Sequence, residues 1–288
     1  MGRASRSYAS GAPWVFRGDA LYQLQLVKSE VARPLIPKGL KLVEAFGYTL
    51  GGFFLARYDE SPSTSPGTTG RGAEGGDDDG GGFHELVMMA GLVWNPPTSC
   101  AWAAKVFVDS PDAMAHGRAQ CGLPSRLGAF AHGPARLTGS AAVRSVEVRT
   151  LELSDAETGG WVAGFDLPRA SGMFRRSGDE RRRGASLPRT RMLLPSFSGC
   201  TEHRSDMLRY GCDMHARVKP TFPCRVRVGD GADGERGLLG GRPLLCLAFD
   251  DMEMVVDAPV VVAPDPARNG AILPLAEHLQ PAPPAAPA

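Results

Sequence analysis

Lysine is scarce in this chain: Lys28, Lys38, Lys41, Lys105 and Lys219 are the only five, against 27 arginines. Chemistry that runs through a lysine amine therefore has few candidates, and arginine, protonated at every physiological pH, does not replace it. Excess charge of either sign is also missing. A net charge of +1 and a pI near 7.7 give no electrostatic footing for nucleic acid or an anionic membrane surface. No apolar run reaches the ~20 residues of a membrane-spanning helix, so no transmembrane segment is expected. The opening residues MGRASRSYASGAP contain Arg and Ser but no apolar stretch, which argues against a secretory signal. The six cysteines follow no disulfide framework and fit free thiols in a reducing, intracellular compartment. Cys200 with His203 and Cys212 with His215 have a spacing that suggests zinc. On a strand, however, Cys212 and His215 point to opposite faces, so neither a metal nor another cofactor is expected.

What the chain does have is strand signals. With 288 residues, 43% of them hydrophobic, it can bury one substantial core. Tyr22, Leu24 and Leu26 alternate with Gln23 and Gln25, the pattern of a half-buried strand with its glutamines in water. Ser29 is placed to cap a short helix ending before Pro34 or Pro37. Residues 41–58 read as one or two strands bent at Gly47 or at Gly51-Gly52. Residues 83–94, 102–108 and 142–153 read as further strands, and Trp161–Leu167 as a short segment between loops. Over 207–218, Leu208, Tyr210, Cys212, Met214, Ala216 and Val218 share one face and Arg209, Asp213, His215 and Arg217 the other. A last strand set covers Leu244–Val262. These elements make a mainly β (α+β) domain over 13–263, after a flexible N-terminus 1–12 and before a Pro/Ala-rich tail 264–288. Residues 61–82 carry almost no apolar side chain and should be a disordered insertion. Loops are expected at 154–160, 171–190 and 229–242. The arginine clusters at 175–176 and 181–183 read as solvated.

Residues 94–130 hold the densest set of local signals. Ser110 is a good N-cap, Pro111 suits the first helical position and Asp112 complements the positive helix end. Gly122 offers the left-handed conformation that ends helices and Pro124 cannot continue one, which puts Leu123, Pro124, Ser125 and Arg126 in a fixed turn. Gly117-Arg118, Gly122, Pro124 and Leu127-Gly128 together resemble, without a gap, the G-R-x-x-x-G-x-P-K-K-L-G segment of the acetoacetate decarboxylase family. The resemblance runs from about Pro13 to Val262, through Ile36-Pro37-Lys38-Gly39-Leu40, Phe83-His84-Glu85 and Leu194-Pro195-Ser196-Phe197-Ser198-Gly199. It implies an antiparallel, cone-shaped β-barrel with a few short helices. The strings LYQLQLVKSEVARPLIPKGLKLVEAFGYTLGGFFLARYDESP and LVWNPPTSCAWAAKVFVDS are closer to one plant and algal branch of that superfamily. This branch is described as required for accumulation of the xanthophyll neoxanthin without being the established converting enzyme.

In the decarboxylases the first lysine of the pair forms a Schiff base and the second lowers its pKa, a system that serves as a standard example of an activated lysine. Here those positions are Ser125 and Arg126, and neither forms an imine. Asp19 falls about where the decarboxylases have an arginine for the substrate carboxylate, with Arg17 two positions earlier. The resemblance therefore implies a non-decarboxylating protein that supports neoxanthin biosynthesis, by binding a small apolar or carotenoid-related ligand, with a carotenoid-pathway enzyme as a partner. A homo-oligomer is compatible with it, and cytosol and plastid both stay open. The rival expectation is a lysine-independent hydratase, hydrolase or isomerase. In it, Glu85, which matches a family active-site glutamate and shares a strand face with Val87, Met89 and Val93, is the acid/base. Arg118, Ser125, Arg126, Trp94 and Trp102 are the expected ligand-binding residues. Each also has a plainer reading: Arg118 as a helix brace, Arg126 as a surface arginine, the tryptophans as core or pocket wall, and Glu85 as a solvated or arginine-paired strand start.

Overall fold

The computed structural model describes residues 7–62, 69–71, 82–95, 98–138, 141–151, 160–168, 188–229, 233–265 and 271–274. Its strands are β1 (Trp14–Lys28), β2 (Tyr48–Pro62), β3 (Thr69–Arg71), β4 (Phe83–Asn95), β5 (Thr98–Val108), β6 (Ser125–Thr138), β7 (Ala141–Thr150) and β8 (Trp161–Leu167). They continue as β9 (Thr190–Leu193), β10 (Ser196–Gly199), β11 (Met207–Tyr210), β12 (Cys212–Pro220), β13 (Arg225–Val228), β14 (Arg242–Val256), β15 (Val260–Asp265) and β16 (Ala271–Pro274). The helices are α1 (Ser29–Ala32), followed by a 3-10 turn over Arg33–Leu35, α2 (Pro111–Ala119) and α3 (Asp233–Leu239). The main ladder runs β13-β8-β7-β6-β5-β4-β2-β1-β14-β12-β9, and β10, β11, β15 and β16 branch from β5. All its pairings are antiparallel except β5 with β6 and β5 with β10. Among the described residues no helix is long and apolar enough to cross a membrane.

The central strands are covered on both faces, so successive side chains enter two different cores. Leu21, Phe53, Leu55, Leu86, Met88 and Ala248 belong to one. Trp14, Phe16, Phe54, Tyr58, Phe249 and Met254 belong to the other. This reverses one expectation, because Gln23 and Gln25 are the buried face of β1, at 2% and 0% exposure, while Leu24 and Leu26 stay partly exposed. The burial is tolerated because both amides are bonded. Gln23 Oε1 accepts from the Cys224 amide at 2.7 Å, and Gln25 Nε2 donates to the Leu238 carbonyl.

That carbonyl lies in α3, which occupies part of the expected loop 229–242. Two glycines in seven residues give the segment little intrinsic helicity. It is helical because Leu238 and Leu239 are buried, at 0% and 2%, and because Gly237 lets α1 approach: a Cβ there would lie 2.6 Å from Val31 Cγ1. Other departures are smaller. Ser29 is the first residue of α1, not its cap, and makes no capping bond. The 41–58 segment gives one long strand after a turn at Gly47, with φ +79°. The strand predicted over 207–218 is split at Gly211, where pairing passes from β10 and β15 to β14 and β9. The strand set Leu244–Val262 likewise divides into β14 and β15. Ser61, Pro62 and Thr69–Arg71 are paired strand within the expected insertion, and β16 pairs with β15 inside the expected tail. Residues 63–68 and 72–81, most of 154–160 and 171–190, both arginine clusters and residues 1–6, 266–270 and 275–288 lie outside the described residues, whereas residues 7–12 of the expected flexible N-terminus are placed, with Tyr8 against the His116 ring.

Candidate functional site

α2 is built as its sequence predicts. The Ser110 side chain accepts from the Ala113 amide at 3.2 Å and Pro111 opens the helix. Ala113, His116 and Gly117, spaced i, i+3, i+4, form the buried face. Gly117 gives the returning chain room beneath it, because a Cβ would stand 2.8 Å from Ser125 Oγ and that hydroxyl would have to turn away. The return is fixed by the Leu123 amide bonding to the Gly117 carbonyl at 2.9 Å. Gly122 is left-handed, with φ +61°, and packs against Gly199. Ser125 and Arg126 then open β6, paired in parallel with Val106 and Phe107 of β5, instead of sitting in the expected turn.

Between this helix and the second core lies a cavity of about 320 Å³, within the size range of small-molecule sites. Its walls are mostly apolar and aromatic, including Tyr8, Trp14, Phe16, Tyr58, Phe83 and Met254. Glu85 reaches it from β4 and accepts a hydrogen bond from Tyr58 Oη at 2.9 Å. Burial pushes the Glu85 carboxyl up to about 7, against a smaller lowering by the Tyr58 bond. His116 lines the same cavity, and burial lowers its imidazole to about 4, so it is neutral at physiological pH. Burial raises the Cys121 thiol and the Tyr22 hydroxyl to about 12, which keeps both protonated. No lysine or arginine is among the described lining residues. Such a cavity suits an uncharged apolar guest; its described lining residues include one carboxyl able to give or take a proton near neutrality and no amine for an imine.

Of the sequence-predicted residues, Glu85 and Ser125 meet in this cavity and four lie outside its described lining. Arg118 Nε donates to the Ser125 carbonyl at 2.7 Å, bracing the helix on β6. Arg126 is exposed on β6. Trp94 is 36% exposed, and Trp102, 4% exposed, belongs to the opposite core. Val93 also leaves the face of Glu85, Val87 and Met89: β4 bulges at Ala90, Met89 pairing with Ala103 and Gly91 with Trp102. The bulge inverts the alternation, so Leu92 lines the cavity and Val93 is buried on the other side. Asp19 is buried on β1, within 3.4 Å of Arg57 and accepting from the Asp251 amide at 3.0 Å. Arg17 is held outside by Glu60 and Glu253. Among the described residues no group of three or more His, Cys, Asp or Glu is arranged to hold a metal. Sequence reasoning missed Tyr58 and His116. The second was within reach through its i+3 spacing from Ala113; the first, 27 residues before Glu85, carried no local signal.

No protein-family model matches the chain. It is 39% identical to Protein NEOXANTHIN-DEFICIENT 1 of Oryza sativa subsp. japonica, over 91% of this chain and 92% of that one. To the protein of the same name from Arabidopsis thaliana it is 38% identical, over 91% and 97%. Its fold is similar to that of acetoacetate decarboxylase, with a TM-score of 0.56 at 12% identity, over 89% of this chain and 91% of the other. On the ground of identity of that order over nine tenths of each chain, the chain belongs to the NEOXANTHIN-DEFICIENT 1 family, and it has an acetoacetate decarboxylase-like fold.

Proposed function

We propose that this protein binds a small apolar, isoprenoid-like ligand in the cavity under α2, decarboxylates nothing, and supports neoxanthin formation, as the name of its relatives suggests. One observation carries the reading. The cavity has Ser125 where the decarboxylases have their Schiff-base lysine, and no cation stands among its described lining residues. A keto acid needs an amine to attack and a cation for its carboxylate. Lys105 meets neither need, being paired with Glu235 of α3 on the far side of the sheet.

Size narrows the ligand. A dry cavity of ~150 Å³ takes one benzene, so about 320 Å³ suits an end group of about a dozen non-hydrogen atoms and not an enclosed forty-carbon chain. The test is native mass spectrometry and solvent extraction of protein purified from a carotenoid-producing host. The expected result is a co-purifying apolar molecule near one to one. An empty protein, or a lysine labelled by borohydride in the presence of a keto acid, overturns the reading. A second reading is favoured by the Glu85–Tyr58 pair, whose carboxyl near 7 suits a general acid or base. Glu85→Gln separates the two: lost function with ligand affinity intact favours catalysis, and unchanged function favours the accessory role. An accessory role also calls for a pathway enzyme as partner, which pull-down from a pigment-producing host would recover.

A further inference from the structure

Among the described residues that line the cavity, His116 carries a buried nitrogen, Nε2, with no hydrogen-bond partner. The residue is 4% exposed, it lines the cavity, and Nε2 is fully covered with no hydrogen bond. Buried nitrogens of this kind are nearly always paired, so the position calls for something that the described residues do not supply. The imidazole does not reach solvent by turning. Its Nδ1 is 2.9 Å from Ser7 Oγ, the Tyr8 ring lies at 4.3 Å, tilted 31°, and Trp14 stands edge-on at 4.4 Å.

We infer that His116 is a ligand-binding residue whose Nε2 hydrogen-bonds a neutral hydroxyl on an otherwise apolar guest. This deepens the binding role proposed above and rests on it. A hydroxyl is favoured because it fits either tautomer. If Ser7 donates to Nδ1, Nε2 carries the hydrogen and needs an acceptor; if Ser7 accepts, Nε2 needs a donor. A hydroxyl does both, whereas an ether or carbonyl oxygen serves only the first. A carboxylate is disfavoured: the imidazole is neutral near pH 7, Glu85 shares the cavity, and no lysine or arginine is among the described lining residues. The site is also spaced along the walls. Glu85, already paired with Tyr58, comes from β4 and His116 from α2, which leaves apolar surface between two polar points for the body of the guest.

Three probes of nearly equal size test this: limonene, perillyl alcohol and perillic acid, measured by titration calorimetry at pH 8 on the full chain. The alcohol is expected to bind roughly tenfold tighter than the hydrocarbon, the worth of one ordinary hydrogen bond, and the acid to bind most weakly. His116→Phe should remove the preference for the alcohol while keeping hydrocarbon affinity, which also shows that the variant is folded. His116→Gln, which keeps an amide donor and acceptor, should restore part of it. Equal affinity for alcohol and hydrocarbon in the parent protein overturns the inference and would assign Nε2 to an ordered water. Retention of the alcohol preference by His116→Phe overturns it too, placing the anchor at Glu85. Binding of none of the three overturns the cavity reading itself, and the acid binding most tightly overturns the exclusion of anions.

Discussion

Glu85→Gln should make the protein more stable, and only in one pH range. The carboxyl is raised from 4.5 to about 7 by burial, so between these values the folded state holds its proton more tightly than the unfolded state does. Folded stability from this group is complete below pH 4.5 and is lost as pH rises through 7. At ~1.36 kcal/mol per pH the loss totals ~3 kcal/mol. His116 runs the other way. Its imidazole is lowered from 6.5 to about 4, the unfolded state binds the extra proton in that interval, and stability rises with pH by a similar ~3 kcal/mol. In the parent protein the two nearly cancel between pH 4.5 and 6.5. Glutamine removes the first while its Oε1 still accepts from Tyr58, whose hydroxyl lies 2.9 Å from the present carboxylate. Denaturant unfolding followed by tryptophan fluorescence at pH 4.5 and 8, at constant salt, is the assay. The stability gain of the variant should grow by ~3 kcal/mol from the lower pH to the higher. A gain equal at both, or a variant less stable at pH 8, refutes the placement of Glu85 in a desolvated wall.

Gly117→Ala should cost ~1–3 kcal/mol by overpacking, since its methyl would meet Ser125 Oγ at 2.8 Å, and Ser125→Gly in the same chain should recover most of it in a double-mutant cycle. Gln25→Leu leaves the Leu238 carbonyl without its donor; a loss of ~1–3 kcal/mol and faster amide exchange confined to 233–239 are expected in hydrogen-exchange mass spectrometry. Ser110→Ala removes the cap on Ala113 and should lower stability by ~1 kcal/mol in a thermal melt, with Ser110→Asp close to the parent.

Where the signal was local, the chain could be read directly. The cap at Ser110, the stop at Gly122 and the alternation from Leu208 to Ala216 depend on residues within one turn or one pleat, and backbone geometry fixes their period. Glu85 could be found the same way, helped by the string around it. Alternation says which residues share a face, however, and not which face is covered. Gln23 and Gln25 are buried because Cys224, 201 residues away from Gln23, and Leu238 come to meet them. Val93 changes sides because a one-residue bulge at Ala90 inverts the pattern, at no cost that composition records. His116 and Tyr58 are ordinary residues until the sheet and α2 enclose one space between them. The sequence determined most of the strands, the capped helix and its stop at Gly122, all properties of adjacent residues. Only the tertiary structure decided that Glu85, Ser125 and His116 line one cavity and that Arg118, Arg126, Trp94 and Trp102 stay out of its described wall, because desolvation depends on everything packed around a group and not on its neighbours in the chain.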